Sequence, residues 1–148
     1  MLFRSPPITV SRAEASRRRL GVATIDLYQV HWPNPLVPLG TTMAGFRRLL
    51  DSGTIRAAGV SNHSLARWRA AERALGRPVI SNQVRFSLAS PAPLRDLVPF
   101  AHDTGRVVIA YSPLSQGLLV RDPSAAGRSE EHTSELQSLA YLVCRLLL

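Results

Sequence analysis

The sequence predicts an α/β chain of parallel strands that forms part of a (β/α)8 TIM barrel, and three observations carry that prediction. Strand-like apolar runs alternate strictly with helix-like periodic segments, and the strands start roughly 20–30 residues apart. Such alternation implies parallel strands joined by crossover helices. Polar or aromatic residues gather where each strand ends: His31 and Trp32, Ser61 and Asn62, Gln83, then Tyr111 and Ser112. A site assembled from successive strand ends is the habit of a (β/α)8 barrel. Finally, no Gly-x-Gly-x-x-Gly turn joins a strand to a helix, which weakens the doubly wound alternative with its nucleotide site.

The elements follow in order. Ser11-Arg12-Ala13-Glu14 has the form of a capping box, in which serine caps a helix start and glutamate reaches back. The helix it opens runs to Leu20 and stops at Gly21. Residues 25–32 form an apolar, period-2 run that ends in an imidazole, an indole and the helix-excluding Pro33. A titratable group where a core strand emerges makes His31 a site candidate on chemistry alone. Met43, Phe46, Leu49 and Leu50 share a helical face that ends at Gly53. Ala57-Ala58-Gly59-Val60 is a short buried-strand pattern leading into Ser61-Asn62. Leu65, Trp68, Ala71 and Leu75 mark the next helix, stopped by Gly76 and Pro78. Residues 79–84 read as a strand. Leu94, Leu97, Val98 and Ala101 give a helix ending near Gly105, and residues 107–111 are the last clear strand.

Composition narrows the function classes. The chain has 148 residues and a formal net charge of +8, and all 18 of its basic residues are arginine. A nucleic-acid binder usually clusters such charge beside aromatics or along one helix face. Here only Arg17-Arg18-Arg19 forms a run, so solvated helix faces explain the arginines better and no nucleic-acid partner is expected. Without lysine, chemistry that needs an ammonium is closed to these residues. Cys144 is the only cysteine, which excludes an internal disulfide framework and a multi-cysteine metal site. No signal-peptide pattern and no apolar run near the ~20 residues of a membrane span is present. A cytoplasmic protein without membrane or metal partners is the expectation.

Four stretches then carry a family resemblance. Ile25-Asp26-Leu27-Tyr28-Gln29-Val30-His31-Trp32-Pro33, Gly59-Val60-Ser61-Asn62, Ser81-Asn82-Gln83-Val84 and Ala110-Tyr111-Ser112-Pro113-Leu114 resemble the aldo-keto reductase superfamily, in its order and at its spacing. The resemblance covers roughly residues 11–120, the middle of that family's barrel, with about four of the eight strands. It implies an NADP-dependent oxidoreductase barrel that reduces aldehydes and ketones with a nicotinamide cofactor, NADP(H) before NAD(H), and no metal. By the resemblance His31 matches the histidine of an Asp-Tyr-Lys-His tetrad, which hydrogen-bonds the carbonyl oxygen of a small substrate. Donors aimed at that oxygen stabilise the alkoxide-like charge that develops as hydride arrives. Ser61, Asn62 and Gln83 match partners of the nicotinamide carboxamide, an amide that needs both donors and acceptors. Tyr111 matches the ring on which the nicotinamide stacks. Ser112, Leu114, Ser115 and Gly117 match contacts of the loop over the cofactor pyrophosphate, where backbone N–H groups meet the anion.

Plainer structural roles compete at each position. His31 could be a core histidine bonded to backbone, Ser61-Asn62 a simple helix cap, Tyr111 core, and Trp32 either packing or the lip of a substrate mouth. Asp26 falls outside the inward Gln29–His31 register and is expected to face the helix layer in a structural role. His63 stands where the family commonly has phenylalanine and reads as a lining or surface variation.

The resemblance also implies what this chain does not supply. The tetrad aspartate, tyrosine and lysine would precede the matched region, so the chain alone is expected to be inactive while its full-length parent is an enzyme. Residues 2–5 and 128–138 resemble translated sequencing adapters, and 139–148 then read as out-of-context translation, so 1–5 is an expected non-native leader, 128–148 an expected artefactual tail, and 6–127 the expected partial barrel, from its third helix to just past its seventh strand. A competing function is a regulatory subunit of the same fold that binds cofactor without significant catalysis.

Overall fold

The structure, a computed structural model, describes residues 6–115. Four helices and four strands alternate as the sequence predicts: α1 (Pro6–Leu20), β1 (Ile25–Val30), α2 (Leu39–Asp51), β2 (Ile55–Ser61), α3 (Leu65–Leu75), β3 (Ser81–Arg85), α4 (Leu97–Thr104) and β4 (Val107–Tyr111), with a 3-10 turn at Ala92–Arg95 before α4. The strand order follows the chain, β1-β2-β3-β4, and β1 pairs with β2 in parallel, Ile25 opposite Ile55 and Val30 opposite Val60. This is the α/β parallel sheet of a partial barrel, unclosed among the described residues. None of the described helices is long and apolar enough to cross a membrane. By its internal contacts the chain divides into two compact units, Met1–Asn82 and Gln83–Leu148.

In the first unit the helix layer is built from the predicted apolar faces. Met43, Phe46 and Leu49 of α2 are buried, as are Trp68, Ala71 and Leu75 of α3 and Ile55, Ala58 and Val60 of β2. Each large side chain contributes about 1.5–3 kcal/mol by leaving water. The ring of Tyr28 meets that of Phe46 at 5.4 Å between centroids, so the even-numbered positions of β1 face the helices. The Trp68 indole donates to the Val79 carbonyl at 2.8 Å, which satisfies its one polar atom inside the core. Arg47 of α2 donates to the Leu75 and Ala74 carbonyls at 2.9 and 2.8 Å. A cation on the free carbonyls at the end of α3 also opposes the helix dipole. A Cβ on Gly45 would lie 2.7 Å from the Thr9 Cβ, so glycine there lets α1 approach α2.

The helix starts differ from expectation in two places. Ser11–Glu14 does not open α1; it lies inside a helix that begins at Pro6. Proline is well suited to a first turn, because its missing N–H would have no helical partner there. The cap of α3 is Ser64, whose hydroxyl accepts from the Arg67 N–H at 3.3 Å.

In the second unit, Leu97 and Ala101 of α4 and Val108 of β4 are buried. The Phe86 N–H donates to the Tyr111 carbonyl at 3.4 Å. Ser87 forms an antiparallel bridge with Ser90, and its hydroxyl meets that of Ser115 at 2.6 Å in a buried pair.

Candidate functional site

His31 is the first residue past β1, and it is exposed. Because Val30 sits opposite Val60, the parallel register brings His31 level with Ser61 at the carboxyl edge of the strands. That edge is where barrels of this architecture place their chemistry. A cavity of about 490 Å3 opens beside it, lined by Arg12 and Thr9 of α1, by Tyr28, Gln29 and His31, and by Thr42 and Phe46 of α2. Trp32 is 56% exposed, so it is not core packing. Asp26 sits at the opposite end of β1, exposed, in an ion pair with Arg56. Such surface pairs contribute little, in keeping with a structural position away from the carboxyl edge.

The floor under this edge is polar and close-fitting. The Gln29 amide donates to the Ser81 hydroxyl at 3.0 Å and to the Val60 carbonyl at 3.4 Å. It passes over Gly59, where a Cβ would come within 2.3 Å of the Ser81 Oγ and 2.8 Å of the Gln29 Cγ. Any side chain at Gly59 would break that bridge. Gln29 and Ser81 belong to the quoted motifs, but their bond spans 52 positions and left no local signal.

The turn that ends β2 is buried and tightly bonded. Ser61 is buried, and the Asn62 amide donates to its hydroxyl at 3.0 Å. Asn62 has a φ of 57°, a left-handed conformation that asparagine tolerates better than most residues. Neither residue caps α3, since Ser64 does. His63 is the larger surprise: it is 2% exposed, so the surface reading of this residue is wrong. Left-handed Asn62 sends the chain inward there. The His63 Nδ1 lies 2.9 Å from the Ser61 carbonyl. Asn82, fully buried, grips the His63 backbone by donating to its carbonyl at 2.7 Å and accepting from its N–H at 3.4 Å. Burial lowers the His63 pKa, and the Arg67 charge lowers it further, while the bond to Ser61 acts in the opposite direction. A neutral ring results.

The remaining predicted site residues belong to the second unit. Gln83 lies in β3 and is half-buried; Tyr111 ends β4 and Ser112 follows it, both half-buried. Ser112 and Ser115 have φ values of 53° and 48°, so the chain turns sharply twice in leaving the strand. Leu114 is 79% exposed, whereas Ser115 is buried. Gly117 lies outside the described residues, as do Cys144 and the segment 128–148. No cluster of three or more His, Cys, Asp or Glu side chains suited to a metal is gathered among the described residues.

Comparison with known proteins agrees with this architecture. An uncharacterized oxidoreductase of Mycobacterium tuberculosis is 64% identical over 114 residues, 77% of this chain and 35% of the relative. The aldo-keto reductase YhdN of Bacillus subtilis is 37% identical over 126 residues, covering 85% of this chain and 36% of its own length. The chain therefore spans about a third of the length of these relatives. Among solved structures, the thermostable aldo-keto reductase Tm1743, bound to the inhibitor epalrestat, superposes with a TM-score of 0.74 at 30% identity. That match covers 93% of this chain and 47% of the other. An aldo/keto reductase from Klebsiella pneumoniae, in complex with NADP and acetate, gives a TM-score of 0.62 at 30% identity, over 91% of this chain and 47% of its own. The aldo/keto reductase family model matches residues 8–146, and with four strands, their order and their helices in agreement, the chain belongs to the aldo/keto reductase family.

Proposed function

We propose that this chain carries the carbonyl-orienting histidine and part of the nicotinamide site of an NAD(P)H-dependent reductase that converts aldehydes and ketones to alcohols. The observation that carries the reading is the register that sets His31 level with Ser61, beside an open cavity at the carboxyl edge of β1. In this reading an N–H of the His31 imidazole donates to the substrate carbonyl oxygen and orients it. Exposure of the ring suits a group that must meet a substrate.

The donor set at the end of β2 fits a flat carboxamide. Asn62 offers an amide that can both donate and accept, and Ser61 adds a hydroxyl. Below them the Gln29–Ser81 bridge packs across Gly59 and closes the floor of the site. Gln83, Tyr111, Ser112, Leu114, Ser115 and Gly117 complete the proposed cofactor contacts, Tyr111 by stacking and the residues after it by meeting phosphate oxygens. A nicotinamide held there would supply the hydride. The NADP complex of the Klebsiella relative favours NADP(H) over NAD(H), and a small carbonyl compound is the partner.

No lysine is present in these 148 residues, so the ammonium of the family tetrad is not theirs to give. Consumption of NADPH with generic aldehydes tests the proposal. The chain alone is expected to show no turnover. The full-length reductase with His31→Ala is expected to lose about 100- to 1000-fold in kcat/KM, the range typical of one transition-state donor. An unchanged rate in that variant overturns the role of His31, and cofactor binding without turnover by the full-length protein would favour a regulatory subunit.

A further inference from the structure

Behind the segment that follows His31 lies a second, much smaller cavity that the proposed reaction does not use. It measures about 20 Å3, and its lining includes Trp32, Pro33, Val37, Thr42, His63 and Arg67. Two polar atoms in this lining are buried and unbonded among the described residues: the Nε2 of His63 and the Nε of Arg67. Leaving such atoms dry is destabilising, so their occurrence together asks for a shared explanation.

Their chemistry is complementary. The Ser61 carbonyl can only accept, so the His63 Nδ1 at 2.9 Å carries the ring proton. Burial and the nearby Arg67 charge favour the neutral ring, which leaves Nε2 a bare lone pair. The Arg67 Nε–H is a donor. Two residues that line the same space thus carry one free acceptor and one free donor, and no bond joins the two atoms directly. A water molecule can accept from the guanidinium and donate to the imidazole. One water needs roughly 10–15 Å3 of such volume and two to four polar partners. An anion would meet the lone pair of Nε2, and an apolar filler would leave both atoms orphaned.

We propose that this cavity is a binding site for a single water that accepts from Arg67 Nε–H and donates to His63 Nε2. The water makes Arg67 and His63 one hydrogen-bonded unit. Through Nδ1–H that unit ends on the Ser61 carbonyl, so the third residue of α3 helps hold the turn that ends β2. The site exists whether or not the protein is a reductase.

A high-resolution crystal structure of the chain and 15N NMR of its histidines test this directly. The expected results are one solvent peak within about 2.7–3.2 Å of both atoms and a His63 ring protonated at Nδ1 alone. An empty cavity, density of an ion, or a proton on Nε2 overturns the proposal. Variants add an energetic reading. Arg67→Met should lower the folding equilibrium constant about tenfold in the unaltered chain, but less than about twofold after His63→Phe has removed the acceptor. Equal losses in both backgrounds would show that no bridge couples the pair. Should either variant fail to fold, the solvent peak and the ring tautomer of the unaltered chain decide the matter.

Discussion

The two strand ends of the first unit lie level by register and are built in opposite ways. Beyond β1, His31 and Trp32 stand exposed beside an open cavity. Beyond β2, the turn Ser61-Asn62-His63 is sunk into the protein and held by side-chain hydrogen bonds that include two from Asn82, one from Asn62 and one with the His63 ring. The difference teaches how a site divides its work. Under the proposed function, the group that would meet a changing substrate is presented, whereas the groups that would offer fixed donors are braced from below. Donors already held in place bind a partner without first having to be ordered, and such bracing supplies the fixity.

The contrast breaks most sharply at Asn82. Replacing it with leucine keeps the volume but strips the His63 N–H and carbonyl of their partners in a region closed to water. Asn82→Leu is expected to cost about 3 kcal/mol, the sum of two modest burial penalties, read from the midpoint of urea unfolding. A loss below about 1 kcal/mol would mean that the turn is held by something other than this side chain.

A smaller effect is expected from the backbone itself. At the φ of 57° of Asn62, a Cβ without a local hydrogen-bonding side chain is strained. Asn62→Ala should therefore be less stable than Asn62→Gly by about 1 kcal/mol, although glycine is normally the more costly residue to order. The reverse ranking would show that the turn relaxes out of the left-handed region and is less rigid than its bonds suggest.

The His63 ring adds a dependence on pH. Its folded pKa lies below the ordinary 6.5, so the unfolded chain takes up this proton first as pH falls. Above 6.5 the ring is neutral in both states and its contribution to stability is whole. As pH drops below 6.5 toward the folded value, that contribution is lost progressively. Unfolding free energies measured from pH 7 downward should fall more steeply for the unaltered chain than for His63→Phe. Parallel curves would place the ring in a wetter setting than its burial implies.

Much of this arrangement can be read directly from residue patterns, and the exceptions have physical reasons. Strands announced themselves because residues 25–30 and 57–60 are apolar runs bounded by turn residues, and helices because Met43, Phe46 and Leu49 recur on one face. His31, Ser61 and Asn62 could be picked out because polar groups stand where those runs stop. The cap of α3 was also within reach, since Ser64 immediately precedes the first periodic residue, Leu65. Ser11–Glu14 marks no helix start, because a capping box has the same letters inside a helix as at its beginning. The burial of His63 had no local signature. It depends on the left-handed Asn62 before it and on Asn82, 19 positions away, and only tertiary contact joins them.

The smallest predicted effect is at the other strand end. His31 is exposed and lies outside β1, so its removal leaves no buried atom unpaired and no core void. Surface changes of this kind usually stay within about 0.5 kcal/mol, and His31→Ala should unfold in urea with the same midpoint as the unaltered chain, within that margin. If the midpoint instead drops as far as it does for Asn82→Leu, His31 is a bracing residue and the division of labour between the two ends fails. If it holds while His31→Ala in the full-length protein abolishes the proposed carbonyl reduction, the imidazole is present for what it meets and not for what it supports.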